Sequence, residues 1–340
     1  MFAVGSRWRG VLPWLLAANL SMAGAALAAE KDRAGAGDAE KFFAAIVKVE
    51  ARALPDARSA ATLGTEREGS GVLIDGNGLI VTIGYLVTEA DEVKIIDHRG
   101  RSLPAAIVGY DQASGLALLR SVVPLAASPL PLGDSADLEE NEPVMIVNGG
   151  GRSDVTLAYV VSRRIFTGSW EYLLERAIFT SPPSLNWSGA ALVDRDGALL
   201  GIGSLILRDA AGSEPHVPGN MFVPIDLLKP ILLDLVESGH GVGPARPWLG
   251  VNADEVQGRL LVTRVSPDGP AEEAGVHAGD IILAVGTDAV HTQAEFYRRV
   301  WGRGSAGSVI PLRVLQENDV RELKLRSIDR VDYFRKKPMD

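Results

Sequence analysis

The chain has 340 residues, no cysteine, and 43 acidic against 34 basic side chains, for a net charge of −9. That length gives room for two domains, and 46% hydrophobic with 23% charged residues excludes wholesale disorder. The acidic balance lacks the clustered cations that nucleic-acid phosphates require, and the absence of Cys removes disulfides, zinc ribbons, thiol nucleophiles and cysteine-ligated clusters together.

In chain order, residues 1–28 read as a secretion signal. Arg7 and Arg9 precede an apolar run over 11–20, and small residues lead to Ala26-Leu27-Ala28, after which cleavage is expected. Asn19, Ser21 and Gly24 interrupt the run and leave it short for a spanning helix, and no later stretch is long and apolar enough to cross a bilayer. An exported, periplasmic protein with no membrane span after signal cleavage is the expectation. Residues 29–41 form a small, polar lead-in. From 42 to 238 the pattern is short apolar runs punctuated by Gly, Asp, Asn and Pro, which is strand grammar. Asp75-Gly76-Asn77-Gly78 and Asp194-Arg195-Asp196-Gly197 each separate two such runs and predict hairpins rather than calcium loops. Roughly a dozen short strands suit a barrel or sandwich. Leu228, Ile231, Leu232, Leu235 and Val236 then fall at helical spacing before Gly239, with Pro230 best placed in a first turn. A Gly/Pro linker over 239–246 leads to a second, smaller domain at 247–328. There Thr292-Gln293-Ala294-Glu295 has the capping-box spacing that starts a helix to about Trp301. The tail, 329–340, is polar and expected to be mobile.

This order of segments resembles the HtrA/Deg family of exported proteases, which join a trypsin-like double β-barrel to PDZ domains. Gly69-Ser70-Gly71-Val72-Leu73-Ile74 looks like the family's opening strand motif, Asp111 to Leu119 its aspartate segment, and Met221-Phe222-Val223-Pro224-Ile225 the lead into its closing helix. The implied fold class is mainly β: a trypsin-like double β-barrel followed by a C-terminal PDZ domain.

Residue by residue, the resemblance also exposes losses. In Val81-Thr82-Ile83-Gly84-Tyr85-Leu86-Val87, Tyr85 stands where the family has its histidine, and Gly115 stands where it has its aspartate. The serine motif reads Asn186-Trp187-Ser188-Gly189-Ala190, so Ser188 alone survives, and Asn186 replaces the glycine that shapes the oxyanion region around Asn186 and Trp187. A serine hydroxyl attacks a carbonyl only when a neighbouring imidazole takes its proton and a carboxylate fixes that imidazole. The five histidines, at 98, 216, 240, 277 and 291, read as loop residues, and Lys48 and Lys94 as solvated strand positions. A serine-protease fold without its base is therefore expected, with Ser188 a vestigial nucleophile.

The second domain keeps its motifs. Ser266-Pro267-Asp268-Gly269-Pro270-Ala271, Ala274-Gly275 and Gly279-Asp280-Ile281-Ile282 closely match the PDZ core, and Pro247-Trp248-Leu249-Gly250-Val251 resembles its carboxylate-binding loop. A PDZ domain takes an extended peptide as an added strand, with loop N–H groups receiving the terminal carboxylate. The resemblance assigns peptide binding to Trp248, Leu249, Gly250 and Val251, with Arg246 adding charge attraction. The expected function is a pseudoprotease that binds peptides or protein C-termini for recognition, scaffolding or regulation, without cofactor or metal. Alternatives are a serine endopeptidase using Ser188 with an unconventional base, and a periplasmic chaperone-like factor. Homo-oligomers or association with active relatives are open, Phe42-Phe43 being one candidate contact; nucleic acid is not an expected partner.

Overall fold

The computed structural model describes residues 40–149, 154–241 and 243–335. The expected signal segment and residues 29–39 of the lead-in lie outside the described residues. Six strands, β1 (Ile46–Ala53), β2 (Glu66–Leu73), β3 (Leu79–Ile83), β4 (Ala90–Ile96), β5 (Ser102–Tyr110) and β6 (Leu116–Ser121), close a first barrel in the order β1-β2-β3-β6-β5-β4. A second barrel follows from β7 (Pro143–Val147), β8 (Val155–Gly168), β9 (Tyr172–Ser181), β10 (Ala191–Val193), β11 (Leu199–Leu207) and β12 (Gly219–Pro224), in the order β10-β11-β12-β9-β8-β7. Closure leaves no open sheet edge in either barrel, and their buried Val, Leu, Ile and Ala side chains merge into one apolar cluster across the seam.

Both Asp-rich turns are hairpins held by their own aspartates. Asp75 Oδ1 accepts from the N–H groups of Asn77 (2.8 Å) and Leu79 (2.7 Å). Asp194 Oδ1 accepts from Asp196 and Ala198, both at 2.9 Å. Their carboxylates complete Asx turns, which is why Asp leads each sequence.

The closing helix starts later than its apolar spacing alone suggests. Two 3₁₀ turns, Ile225–Leu227 and Lys229–Ile231, precede the α-helix Leu232–Ser238, because Pro230 has no N–H to give an α-helical ladder. Gly239, at φ +79°, ends it in the left-handed region.

The third sheet contains β13 (Val251–Val256), β14 (Arg259–Val265), β15 (Ile281–Val285), β16 (Asp288–Ala289), β17 (Val309–Gln316) and β18 (Asp319–Arg326), in the order β13-β14-β15-β17-β18 with β16 beside β15. The Gln293–Trp301 helix packs Phe296, Tyr297 and Val300 against it. Both halves of the Thr292/Glu295 capping box are formed. The Gly-Asp motif has a structural role: buried Asp280 accepts from His277 N–H (2.8 Å) and Gln316 Nε2 (2.7 Å), tying its loop to β17.

The mobile tail is a correction for residues 329–335. Arg330–Tyr333 forms a helical turn, the Tyr333 ring packs on Trp248 with centroids 4.6 Å apart, and Arg335 N–H donates to Glu89 at 2.7 Å. Aromatic burial and a carboxylate anchor hold what polarity alone suggested would stay loose.

Candidate functional site

The site expected from the serine motif lies between the barrels, where the β3–β4 connection of one meets the β9–β10 loop of the other. Ser188 is fixed through its backbone: its carbonyl accepts from Ser70 N–H of β2 at 2.8 Å, and Gly189 N–H donates to Gly203 at 2.9 Å. Its Oγ is buried without a hydrogen-bond partner. Tyr85, on the 3₁₀ turn Gly84–Leu86, stands beside it but donates its hydroxyl to the Ser204 carbonyl at 2.9 Å. Burial pushes the Tyr85 phenol up to about 12, a shift the neighbouring Ser188 and Trp187 polar groups only partly offset. At neutral pH such a phenol is ionised in about one molecule in 10⁵, so it accepts no proton from an alcohol.

The turn that carries Tyr85 is anchored from beneath. The buried Arg67 guanidinium donates to the carbonyls of Gly64, Tyr85 and Thr88 and to Ser59 Oγ. Gly115 sits at φ +79°, and an added Cβ would meet the Tyr172 hydroxyl at 3.0 Å. That hydroxyl donates to the Ser114 carbonyl, so a phenol from the second barrel fills the space beside this position. Asn186 gives its side-chain amide to Asp154 at 3.1 and 3.3 Å. This pairing sets a carboxylate against the loop that leads to Ser188, where it disfavours further negative charge.

Around these groups opens a crevice of about 1140 Å³, lined by Tyr85, Trp187 and Ser188 from the barrels and by Trp248, Arg264 and Tyr333 from the C-terminal domain. No His and no Lys lies among its described lining residues. His216 is elsewhere, 3.4 Å from Asp209 and 3.3 Å from Glu214. Lys48 pairs with Glu50 (2.8 Å) and Glu68 (3.0 Å), whose hydrogen bonds, Glu50 first, raise its pKa and hold it in the protonated form, which cannot accept a proton. Lys94 pairs with Glu92 at 2.9 Å. Among the described residues no cluster of His, Asp and Glu has the arrangement of a metal site.

The carboxylate-binding loop forms a seat. Gly250, at φ +81°, bends the chain so that the N–H groups of Leu249, Gly250 and Val251 converge. What they converge on is the carboxylate of Glu171, from the β8–β9 hairpin of the second barrel, at 2.7 to 3.2 Å. Leu249 and Val251 are also fully buried core residues. Trp248 pairs with Ile328 through its backbone and lies under Tyr333. The Arg246 guanidinium lies 4.3 Å over the Trp301 ring and lines the same pocket as Glu171, whose carboxyl also feels the charge of Arg330. Sequence reading missed Glu171, Arg330 and Tyr333 because a lone acid in a turn and a polar tail carry no local signal of a distant seat.

Comparison with known proteins accords with this architecture. Residues 69–202 match the trypsin-like peptidase domain family, and residues 247–326 match the PDZ domain family. The probable periplasmic serine endoprotease DegP-like of Halomonas elongata is 29% identical over 274 residues, an alignment covering 75% of this chain and 55% of that protein. The serine endoprotease DegS of Escherichia coli is 27% identical over 280 residues, covering 74% of this chain and 73% of its own. In its order of domains and in these relatives the chain is similar to the HtrA/Deg-type proteases. Solved structures agree on the fold. The HtrA-type protease AlgW with decapeptide superposes with a TM-score of 0.51 at 22% identity, covering 87% of this chain and 97% of that one. The serine endoprotease from Yersinia pestis gives 0.50 at 25% identity over 84% and 94%. The chain spans about half the length of its DegP-like relative.

Proposed function

We propose that this chain is an exported, periplasmic HtrA/Deg-type pseudoprotease whose PDZ domain binds peptides or protein C-termini and which acts in recognition, scaffolding or regulation of partner proteins. The observation that carries the reading is Ser188 Oγ, buried without a hydrogen-bond partner in a crevice whose described lining holds no imidazole and no amine. The neighbouring phenol is a poor acceptor at neutral pH and is already donating to Ser204. In subtilisin the loss of the histidine or the serine costs about 10⁶-fold in turnover, and here the orienting carboxylate is missing as well. The periplasm is the stated location of the DegP-like relative, and the sequence has the signal pattern to reach it. No helix among the described residues is long and apolar enough to cross a membrane.

The purified chain, treated with a fluorophosphonate probe at neutral pH, is expected to stay unlabelled under conditions that label a DegS-type protease fully. Labelling that disappears in Ser188→Ala would show a working nucleophile and end the pseudoprotease reading.

A further inference from the structure

The peptide groove of the PDZ domain is filled by the protein's own chain. The β8–β9 connection is the three-residue loop Ser169-Trp170-Glu171, between the paired residues Gly168 and Tyr172. Its last residue, Glu171, has φ +59°, a conformation such loops ordinarily give to glycine or asparagine. A glutamate held there is strained, and strain of this kind marks a position that something else over-determines. The determinant is the seat: both carboxylate oxygens accept from Leu249 N–H, and one also accepts from Gly250 at 2.7 Å and Val251 at 3.0 Å.

The rest of the hairpin continues the likeness to a bound terminus. Two residues before Glu171, the Ser169 carbonyl accepts from Ala253 N–H at 3.3 Å, two residues past Val251. That is the spacing of a peptide laid antiparallel along β13, with the terminal carboxylate in the loop. Leu173 of β9 belongs to the apolar cluster of the PDZ domain, with Leu249, Val251, Phe296, Tyr297 and Val300. The opposite wall grips the hairpin too. Tyr297 Oη donates to the Gly168 carbonyl at 2.7 Å, Thr167 Oγ1 donates to Gln293 Oε1 at 2.7 Å, and Arg298 pairs with Glu175 at 2.6 Å. Carboxylate, strand bond and apolar side chain, the three things a C-terminal peptide brings, are all supplied from within.

We infer that the β8–β9 hairpin is an internal ligand of the PDZ domain, with the Glu171 side chain standing for a C-terminal carboxylate, so that an incoming peptide with a free C-terminus must displace it. The inference rests on the peptide-binding reading above for its outside ligand, but not for the closed state itself. A peptide competes with an intramolecular group, and its apparent affinity falls by the fraction of molecules in which the seat is free. A seat filled about nine-tenths of the time weakens binding about tenfold. Displacement frees the hairpin of the second barrel from the PDZ domain, so ligand binding and the mutual docking of the domains are the same equilibrium seen from two ends.

The test compares the wild type with Glu171→Asn, whose shorter side chain falls short of the seat and tolerates the positive φ, and Glu171→Gly, which the positive φ accommodates with least strain. Two quantities are read on the intact chain. Hydrogen exchange at the amides of Leu249, Gly250 and Val251 is expected to be at least tenfold faster in both variants, with circular dichroism unchanged. Calorimetric titration with a set of ten-residue peptides, each with a free and an amidated C-terminus, is expected to give at least tenfold tighter binding of free-carboxylate peptides to the variants, with amidated ones failing on all three proteins. Unchanged exchange in folded variants, or equal peptide affinity in wild type and variants, overturns the internal ligand. Faster exchange with no peptide bound by any of the three proteins leaves the internal ligand standing and overturns the peptide-binding function instead.

Discussion

In the proposed pseudoprotease reading Gly115 and Tyr85 stand where two triad members would be, and each has partners of its own. At Gly115 a positive φ of +79° and the Tyr172 hydroxyl, 3.0 Å from where a Cβ would be, disfavour any side chain. Placing an L-residue in left-handed backbone costs about 1–2 kcal/mol, before any clash with the phenol. Tyr85 has taken a carbonyl partner, Ser204, that an imidazole at the same position has no reason to seek. Reintroducing the triad by Tyr85→His with Gly115→Asp is therefore expected to leave the protein unlabelled by a fluorophosphonate and to lower its urea unfolding midpoint by the equivalent of about 1–3 kcal/mol. Probe labelling of that double variant would mean the old geometry is still latent. The substitutions at 85, 115 and 186 could be read from the sequence because the flanking motifs fix their register. That Tyr172 fills the space by Gly115 could not be, since the two are 57 positions apart and meet only when the barrels close.

At the scale of the element, the β8–β9 hairpin combines a strained tip with a well-paired stem. Burial in the seat pushes the Glu171 carboxyl up to about 7, against the downward pull of the Leu249, Val251 and Gly250 N–H groups and of Arg330. When undocked it returns to the ordinary carboxylate range. The docked state thus binds its proton more tightly, so the linked stabilisation of docking is fully present below about pH 4.5 and is lost as pH rises through 7. The groups facing Glu171 are the Tyr297 phenol, itself raised far beyond this window by burial, and Arg330; Arg246, Asp111 and the exposed His240 share the adjoining pocket. Peptides with free C-termini, ionised throughout, are expected to bind more tightly at pH 8 than at pH 5.5, and Glu171→Gln is expected to flatten that dependence. A slope that persists in Glu171→Gln would assign it to another group. The hairpin itself was legible as two apolar runs; its docking was not, because a tip of Ser-Trp-Glu satisfies no peptide motif in sequence.

For the whole molecule, the C-terminal segment is a strap between the PDZ domain and the first barrel. Tyr333 packs on Trp248 of the PDZ loop and its hydroxyl donates to Pro267, while the Arg58 guanidinium of the first barrel lies 4.3 Å over its ring. Arg335 N–H reaches Glu89, which also accepts from the N–H groups of Arg58 (3.0 Å) and Ser59 (2.7 Å). Burial pushes the Glu89 carboxyl up, but the Ser59 hydroxyl foremost, and then these N–H groups, hold it below the usual range. Truncation after Asp329 is expected to leave both folds intact, to lower the unfolding midpoint by the equivalent of about 1–3 kcal/mol, and to speed exchange at the Trp248 and Leu249 amides. Unaltered exchange there would show that the strap rests on the surface without fastening the domains.

Strand spacing, turn aspartates and the capping box are local, and period and turn chemistry settled from the sequence that a many-stranded barrel or sandwich precedes a small sheet-and-helix domain, while the resemblance to the HtrA/Deg family implied the two barrels and the PDZ domain. They also settled which side chains stand at 85, 115 and 188. The partnerless state of Ser188 Oγ, the phenol beside Gly115, the tail laid on Trp248 and the Glu171 carboxylate within the loop of Leu249, Gly250 and Val251 were decided only by tertiary structure. Each joins residues tens to hundreds of positions apart, through burial and hydrogen bonding that have no period along the chain.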